Sequence, residues 1–311
     1  MKASSWLSFS LITMVLWGVW GAFIGLPNEK GFPDTLSYIV WSITMIPPAL
    51  LVMYRAGWKI KHDLRSLVMG CVIGLLGAGG QMLLFHAVKV GPTYLIFPVI
   101  SLSPVITIVL SIFILKERVG KFGIGGIILA ITSLPMFDLS FGGGVGNVGS
   151  WFPLAVLVLL AWGMQSYFMK LANATMNVES IFFYMMVMGL AFIPVAWYAT
   201  DFSSPINLGF EGPGLAAIIQ VLNAVGALAL VYAFRYGKAI VIAPLVNAGA
   251  PLITSIIAML MAGTMPSVTK LLAIALAIAA ALLLALQPDE SVSIPVVQEE
   301  TDIRENLDLT E

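Results

Sequence analysis

A chain of 311 residues that is 59% hydrophobic and only 10% charged cannot present a water-facing surface, since soluble domains carry about 25% charged residues. Its solvent is lipid, and the expected fold class is an all-α integral membrane protein. The net charge of −1 offers no basic field for a nucleic-acid partner. The lone Cys71 allows neither an intrachain disulfide nor a cysteine-based metal site, so no metal and no cofactor are expected.

A span needs about 20 mostly apolar residues. Ten segments qualify, near 5–27, 35–54, 66–88, 92–115, 119–138, 150–169, 179–199, 212–234, 240–262 and 267–287. The first follows Lys2 and could imitate a signal peptide, but it exceeds the 7–15 residues of such an apolar core and lacks a small-x-small cleavage site. It is read as the first span. The connections are short and hold the helix breakers, such as Gly91-Pro92 and Gly263 to Pro266. The run Phe141-Gly-Gly-Gly-Val-Gly-Asn-Val-Gly149 has nothing to pack and marks a seam. The expected domains are 1–140, a five-helix repeat; 141–149, a Gly-rich linker; 150–288, a second five-helix repeat; and 289–311, a disordered acidic cytoplasmic tail. Eight of the 16 acidic residues fall in that tail, which is too polar to order itself.

Lys and Arg are retained on the cytoplasmic side. With the N-terminus inside, twelve cations fall inside (Lys2, Arg55, Lys59, Lys61, Arg65, Lys116, Arg118, Lys121, Lys170, Arg235, Lys238, Arg304) and three outside (Lys30, Lys89, Lys270). The bias places both termini in the cytoplasm of a multi-pass protein of the plasma (inner) membrane.

The fourth and ninth spans repeat each other. A shift of 146 pairs Gly91 with Gly237, Pro98 with Pro244 and Ser101 with Asn247; one inserted residue then pairs Pro104 with Pro251. Pro98, Pro104, Pro244 and Pro251 are expected helix breaks. A shift of 145 likewise pairs Trp17 with Trp162 and Trp20 with Gln165 in the first and sixth spans. Five spans per half is odd, so the second copy enters the membrane inverted, and a site is expected where the halves meet.

These features resemble the drug/metabolite transporter superfamily, in its ten-helix EamA-like branch. The motifs are the Trp-Gly pair opening each half, Ser101-Leu-Ser-Pro104, Leu115-Lys-Glu-Arg118, and the glycines of the fifth span, Gly123, Gly125 and Gly126. The likeness covers about 5–288. It implies a ten-helix bundle whose central cavity is lined by the first, third, fourth, sixth, eighth and ninth helices, with the fifth and tenth peripheral. The chain departs from the pattern at Ala262-Gly-Thr-Met-Pro266, which has no counterpart to Glu117.

Polar side chains at membrane depth are costly and mark pathways or packing contacts. The expected substrate-binding set is Trp17, Trp20, Gln81, Tyr94, Ser101, Trp162, Gln165, Asn223 and Asn247, with Gln220 a further polar residue on the eighth span. Tyr94, Pro98 and Ser101 share a face at i, i+4, i+7, and the prolines release the carbonyls of Tyr94 and Ile100, to be taken by a solute or by neighbouring helices. Ser103, Thr107 and Ser111 form a small-residue stripe suited to helix packing. No carboxylate lies inside a span, Asp34 being placed at an end. His86 is the one candidate proton site, with a structural role at the interface as its alternative.

The chain has no Gly-x4-Gly-Lys-Ser/Thr for ATP. It also lacks the acid, base, nucleophile and metal set that an enzyme would assemble. The expectation is a secondary transporter, not an enzyme. It moves a small polar or amphipathic metabolite by alternating access between the repeats, by facilitated or weakly coupled transport; export of amino acids or related metabolites is what the resemblance most often implies. Sugar or nucleoside uptake is the alternative within the same superfamily, and a non-transporting sensor a third reading. The expected partners are a small-molecule substrate and the lipid bilayer, with a homodimer left open.

Overall fold

A computed structural model describes residues 5–115, 120–136, 149–172, 175–236, 239–263 and 265–286. Glu117, most of the expected linker and the acidic tail lie outside the described residues. Among those described, every regular element is helical.

The helices form ten rods in the places the hydropathy assigns. The first rod is α1 (Ser5–Phe23) with the short α2 (Leu26–Glu29), and the second is α3 (Asp34–Thr44) with α4 (Ile46–Arg55). Then come α5 (Leu64–Val90), the pair α6 (Thr93–Ile100) and α7 (Ser103–Leu115), and α8 (Lys121–Met136). The second half repeats the order: α9 (Trp151–Ala172), the pair α10 (Val178–Ala191) and α11 (Ile193–Tyr198), α12 (Leu215–Tyr236) behind a π-turn at Phe210–Gly214, α13 (Ala239–Ala262) and α14 (Val268–Ala285). Among the described residues, seven rods are long and apolar enough to cross a membrane, and Lys121–Ser133, Gly249–Ala262 and Val268–Leu283 are shorter apolar stretches.

Local chemistry accounts for the breaks and starts. The second and seventh rods break at matching points, Met45 and Phe192, because Pro47 and Pro194 lack the N–H that would continue the helix. Asp63 caps α5 by accepting from the Ser66 amide at 3.1 Å, and Asn177 caps α10 by accepting from the Ser180 amide at 3.2 Å. The fourth rod breaks at Ser101-Leu102, as its prolines predict. The ninth does not: α13 runs on through Pro244 and Pro251, against the expectation of breaks there. The inserted residue sets these prolines seven apart, close to two full turns and so at one register position, whereas Pro98 and Pro104 stand six apart, on different faces.

The two halves interlock. α1 packs between α12 and α13, and in mirror fashion α9 packs between α5 and the α6–α7 pair; α8 lies against α14. Exchanging repeat mates turns each of these pairings into another of them, as a two-fold axis between inverted repeats requires. Single hydrogen bonds obey the same exchange. Thr254 Oγ1 donates to the Gly18 carbonyl at 2.9 Å, and Thr107 Oγ1 donates to the Gly163 carbonyl at 2.9 Å. A Cβ at Gly18 would stand 2.6 Å from Ile253 and one at Gly163 2.5 Å from Ile106, so only glycine allows the helices to approach so closely.

Candidate functional site

The face of α12 that turns toward the first half carries Gln220 and Asn223, one turn apart. Each is engaged by an indole. Trp20 Nε1 on α1 donates to Gln220 Oε1 at 2.9 Å, and Trp41 Nε1 on α3 donates to Asn223 Oδ1 at 3.1 Å. Rings close the surroundings: Trp20 meets Phe97 edge-on at 6.0 Å, Tyr38 lies 5.3 Å from Trp41, and Phe85 meets Tyr38 edge-on at 6.5 Å. Gln81 stands one turn before Phe85 on α5. Trp20, Gln81, Gln165, Gln220 and Asn223 are all less than one-tenth exposed, so this polar centre is shut off from water.

Among the described residues three buried side-chain atoms meet no partner: Gln220 Nε2 at this centre, Gln81 Nε2 on α5 and Ser37 Oγ on α3. A buried donor left unpaired costs about 1–3 kcal/mol, so three of them within one bundle demand an explanation.

The remaining expected site residues divide by role. Trp17 and Trp162 are repeat mates in structure as in sequence. Trp17 Nε1 donates to the Asn223 carbonyl at 3.1 Å and its ring covers Gly226, while Trp162 Nε1 donates to the Gly77 carbonyl at 3.5 Å and its ring covers Gly80. Each indole therefore joins the opening helix of one half to the third helix of the other. Gln165 rests its amide on Gly77. Ser101 Oγ donates to the Pro98 carbonyl of its own helix at 2.7 Å. The Tyr94 carbonyl, released by Pro98, accepts from Ser255 Oγ at 3.4 Å, which is the neighbouring-helix outcome. The Asn247 and Pro244 side chains lie outside the described residues.

His86 does not join this centre. Its Nδ1 lies 3.1 Å from Asp34 Oδ2, and Lys89 Nζ lies 3.3 Å from Asp34 Oδ1. The sequence places Asp34 at a span end, and it is there, in the first turn of α3; yet its side chain is 9% exposed, against 52% for His86 and 45% for Lys89. A buried carboxylate thus persists because the Lys89 ammonium and the His86 imidazole, both from α5, reach it. Lys89 also faces Asp201, whose carboxyl is held below its usual range chiefly by hydrogen bonds from Ser203.

Contacts tie the halves at both ends. At the Asp34 end, Thr35 and Thr200 share a 2.8 Å hydrogen bond, Asn207 Nδ2 donates to the Lys30 carbonyl at 2.9 Å, and Lys30 pairs with Glu211 at 3.7 Å. At the opposite end, Asn177 Nδ2 donates to the Lys59 carbonyl at 3.0 Å and Tyr184 OH to the Lys61 carbonyl at 2.8 Å. A separate hollow on α13, lined by Ile256, Met259, Leu260, Gly263 and Met265, offers no polar side chain.

Tyr38 and Trp41 are absent from the sequence-derived set, and Gln220 was noted only as polar. Gln220 and Asn223 at i, i+3 were a readable signal. Trp41 sits mid-span in a helix the repeat comparison leaves unmarked.

Ten helices in two inverted, interlocked repeats around buried amides define a polytopic membrane protein of the carrier type. The model of the EamA-like transporter family matches residues 4–137 and 149–286, and the chain belongs to that family. Among curated proteins it is similar to the uncharacterized protein MJ1333.1 of Methanocaldococcus jannaschii, 28% identical over 130 residues, which is 42% of this chain and 93% of that one. Nearly all of that relative therefore matches a stretch the length of one repeat. A solved crystal structure of a protein 18% identical superposes with a TM-score of 0.60, over 91% of this chain and 96% of the other; that likeness concerns the fold alone.

Proposed function

We propose that the protein is a secondary carrier that moves a small polar or amphipathic metabolite, in the direction of export for amino acids or related metabolites, by alternating access between its repeats. The observation that carries this reading is the closed polar centre on α12, where the Gln220 amide donor stays unsatisfied beside the Trp20 and Trp41 indoles and between two tied ends. Membrane-buried polar groups of this kind are expensive unless they serve a solute. The orientation follows the cation bias, with both termini on the cytoplasmic side of the plasma (inner) membrane. Transport is facilitated or weakly coupled, and any proton that moves with solute uses His86 and Asp34, the titratable pair reaching both water and a buried carboxylate.

Purified protein in liposomes, challenged with pooled radiolabelled amino acids, sugars and nucleosides, tests the reading. Amino-acid counterflow is expected, reduced at least tenfold by Asn223→Ala and indifferent to an imposed pH gradient. Flux of sugars or nucleosides alone would favour the uptake alternative. Amino-acid flux unaltered by Asn223→Ala would remove the site.

A further inference from the structure

The turn between α4 and α5 gathers four exposed cations, Arg55, Lys59, Lys61 and Arg65, and none of them stands in a salt bridge among the described residues. Its one acid, Asp63, is occupied by the Ser66 amide. Its backbone is pinned to the second half. The Lys59 carbonyl accepts from Asn177, the Lys61 carbonyl accepts from Tyr184, and the Lys61 amide donates to Ser180 Oγ at 3.0 Å. Ile60 packs inward with Ile73 and Tyr184, while Lys59 and Lys61 on either side of it are exposed. Trp58 is held at a φ of 58°, which residues other than glycine rarely adopt, by its amide's bond to the Met53 carbonyl at 2.9 Å. Its ring is 53% exposed and Leu64 is 76% exposed. Cations thus alternate with apolar side chains along a pinned edge.

The same sequence holds a complement to that edge. Residues 289–311 carry eight carboxylates and one cation, Arg304, and interleave them with Ile303, Leu307 and Leu309. They follow the tenth rod, and the turn follows the second. The segment after the sixth rod meets this turn through Asn177, and the end of the eighth through Tyr232, to which Arg55 donates. The even rods therefore end on one face. Glu299 stands 13 residues beyond Leu286, a reach of up to about 45 Å. That is enough to cross a bundle about four helices, or about 40 Å, wide.

We propose that the acidic segment 289–311 docks on the α4–α5 turn, its carboxylates on Lys59, Lys61 and Arg65 and its apolar residues beside Trp58 and Leu64. The tether makes the encounter intramolecular, so pairs that are weak singly hold together. Because the turn joins the halves, the docked segment straps that same end. The proposal goes beyond the carrier reading and does not depend on it.

The test places the full chain in phosphatidylcholine nanodiscs, which expose both faces, and adds a water-soluble carbodiimide, which joins carboxylates to lysine amines in contact. Crosslinks within the monomer are located by peptide mass mapping. Those from 289–311 to Lys59 or Lys61 are expected to exceed those to Lys121, at the start of the fifth rod on the same face, by at least about fivefold. Arg65→Gln leaves both lysines in place and should lower the yield at least about twofold. Salt at about 1 M, where the Debye length is about 3 Å, should abolish it. No crosslink to Lys59 or Lys61, an equal yield at Lys121, crosslinks found only between two copies, or a yield indifferent to Arg65→Gln and to salt would overturn the proposal. Replacing part of the lipid by anionic phosphatidylglycerol tests the rival occupant. Crosslinks that persist support the docked segment, and their loss would mean that lipid headgroups hold the turn, which would overturn it.

Discussion

Removing the Asp34 carboxylate and removing its partner Lys89 are unequal injuries. Asp34→Asn leaves His86 and Lys89 about half in water, where they regain hydration, and the loss should be about 1 kcal/mol. Lys89→Met leaves a buried carboxylate with only an imidazole beside it, and uncompensated buried charge is the costly case. Thermal unfolding at pH 7 should therefore fall further for Lys89→Met than for Asp34→Asn; the reverse order would mean the cluster is not organised around Asp34. The sequence showed Asp34 as one more carboxylate at a span end, because burial at an end depends on which neighbouring helix supplies the cations. Trp17 and Trp162 were easier to find, since a tryptophan matched at one shift stands out in any self-comparison. Their task was less legible. Indoles deep in a membrane resemble cavity walls on paper, and only the glycines opposite, Gly226 and Gly80, reveal them as joints between helices. Trp41 gave no signal, because its value comes from Asn223, 182 residues away.

At the scale of elements, hydropathy and prolines located all ten rods, and the matching starts of α4 and α11 follow from proline alone. The continuous α13 departs from the expected breaks: it stays helical through Pro244 and Pro251, which the inserted residue sets seven apart. The twin threonine bonds offer a check on the two-fold relation itself. Thr254→Val and Thr107→Val each remove one interhelical hydrogen bond, which in membranes is worth about 0.6 kcal/mol and at most about 1.7. The two sites are distant, so the losses should be alike and should add in the double variant. Unfolding in detergent measures this. A large loss from one and none from the other would show that the two joints carry different loads.

Across the whole molecule, the inverted arrangement was readable because five spans per half is odd and the halves share a Trp-Gly opening. The polar centre was readable only in part. Asn223 and Gln81 stand out as amides in lipid, whereas the unsatisfied donors of Gln81 and Gln220 appear only once their neighbours are known. Alternating access requires that Asn223 be reached from either side of the membrane in turn, with the Thr35–Thr200 contact parting when the Asp34 end opens. The direct measurement is labelling at position 223, located by peptide mass mapping, in an Asn223→Cys variant of a Cys71→Ser background, by a membrane-impermeant thiol reagent added to one side of sealed vesicles, with and without a disulfide between Thr35→Cys and Thr200→Cys. The account predicts labelling from both sides in the reduced protein, and loss of labelling from the Asp34 side alone once the disulfide forms. Labelling from that side that survives the disulfide, or none from either side in the reduced protein, would contradict it.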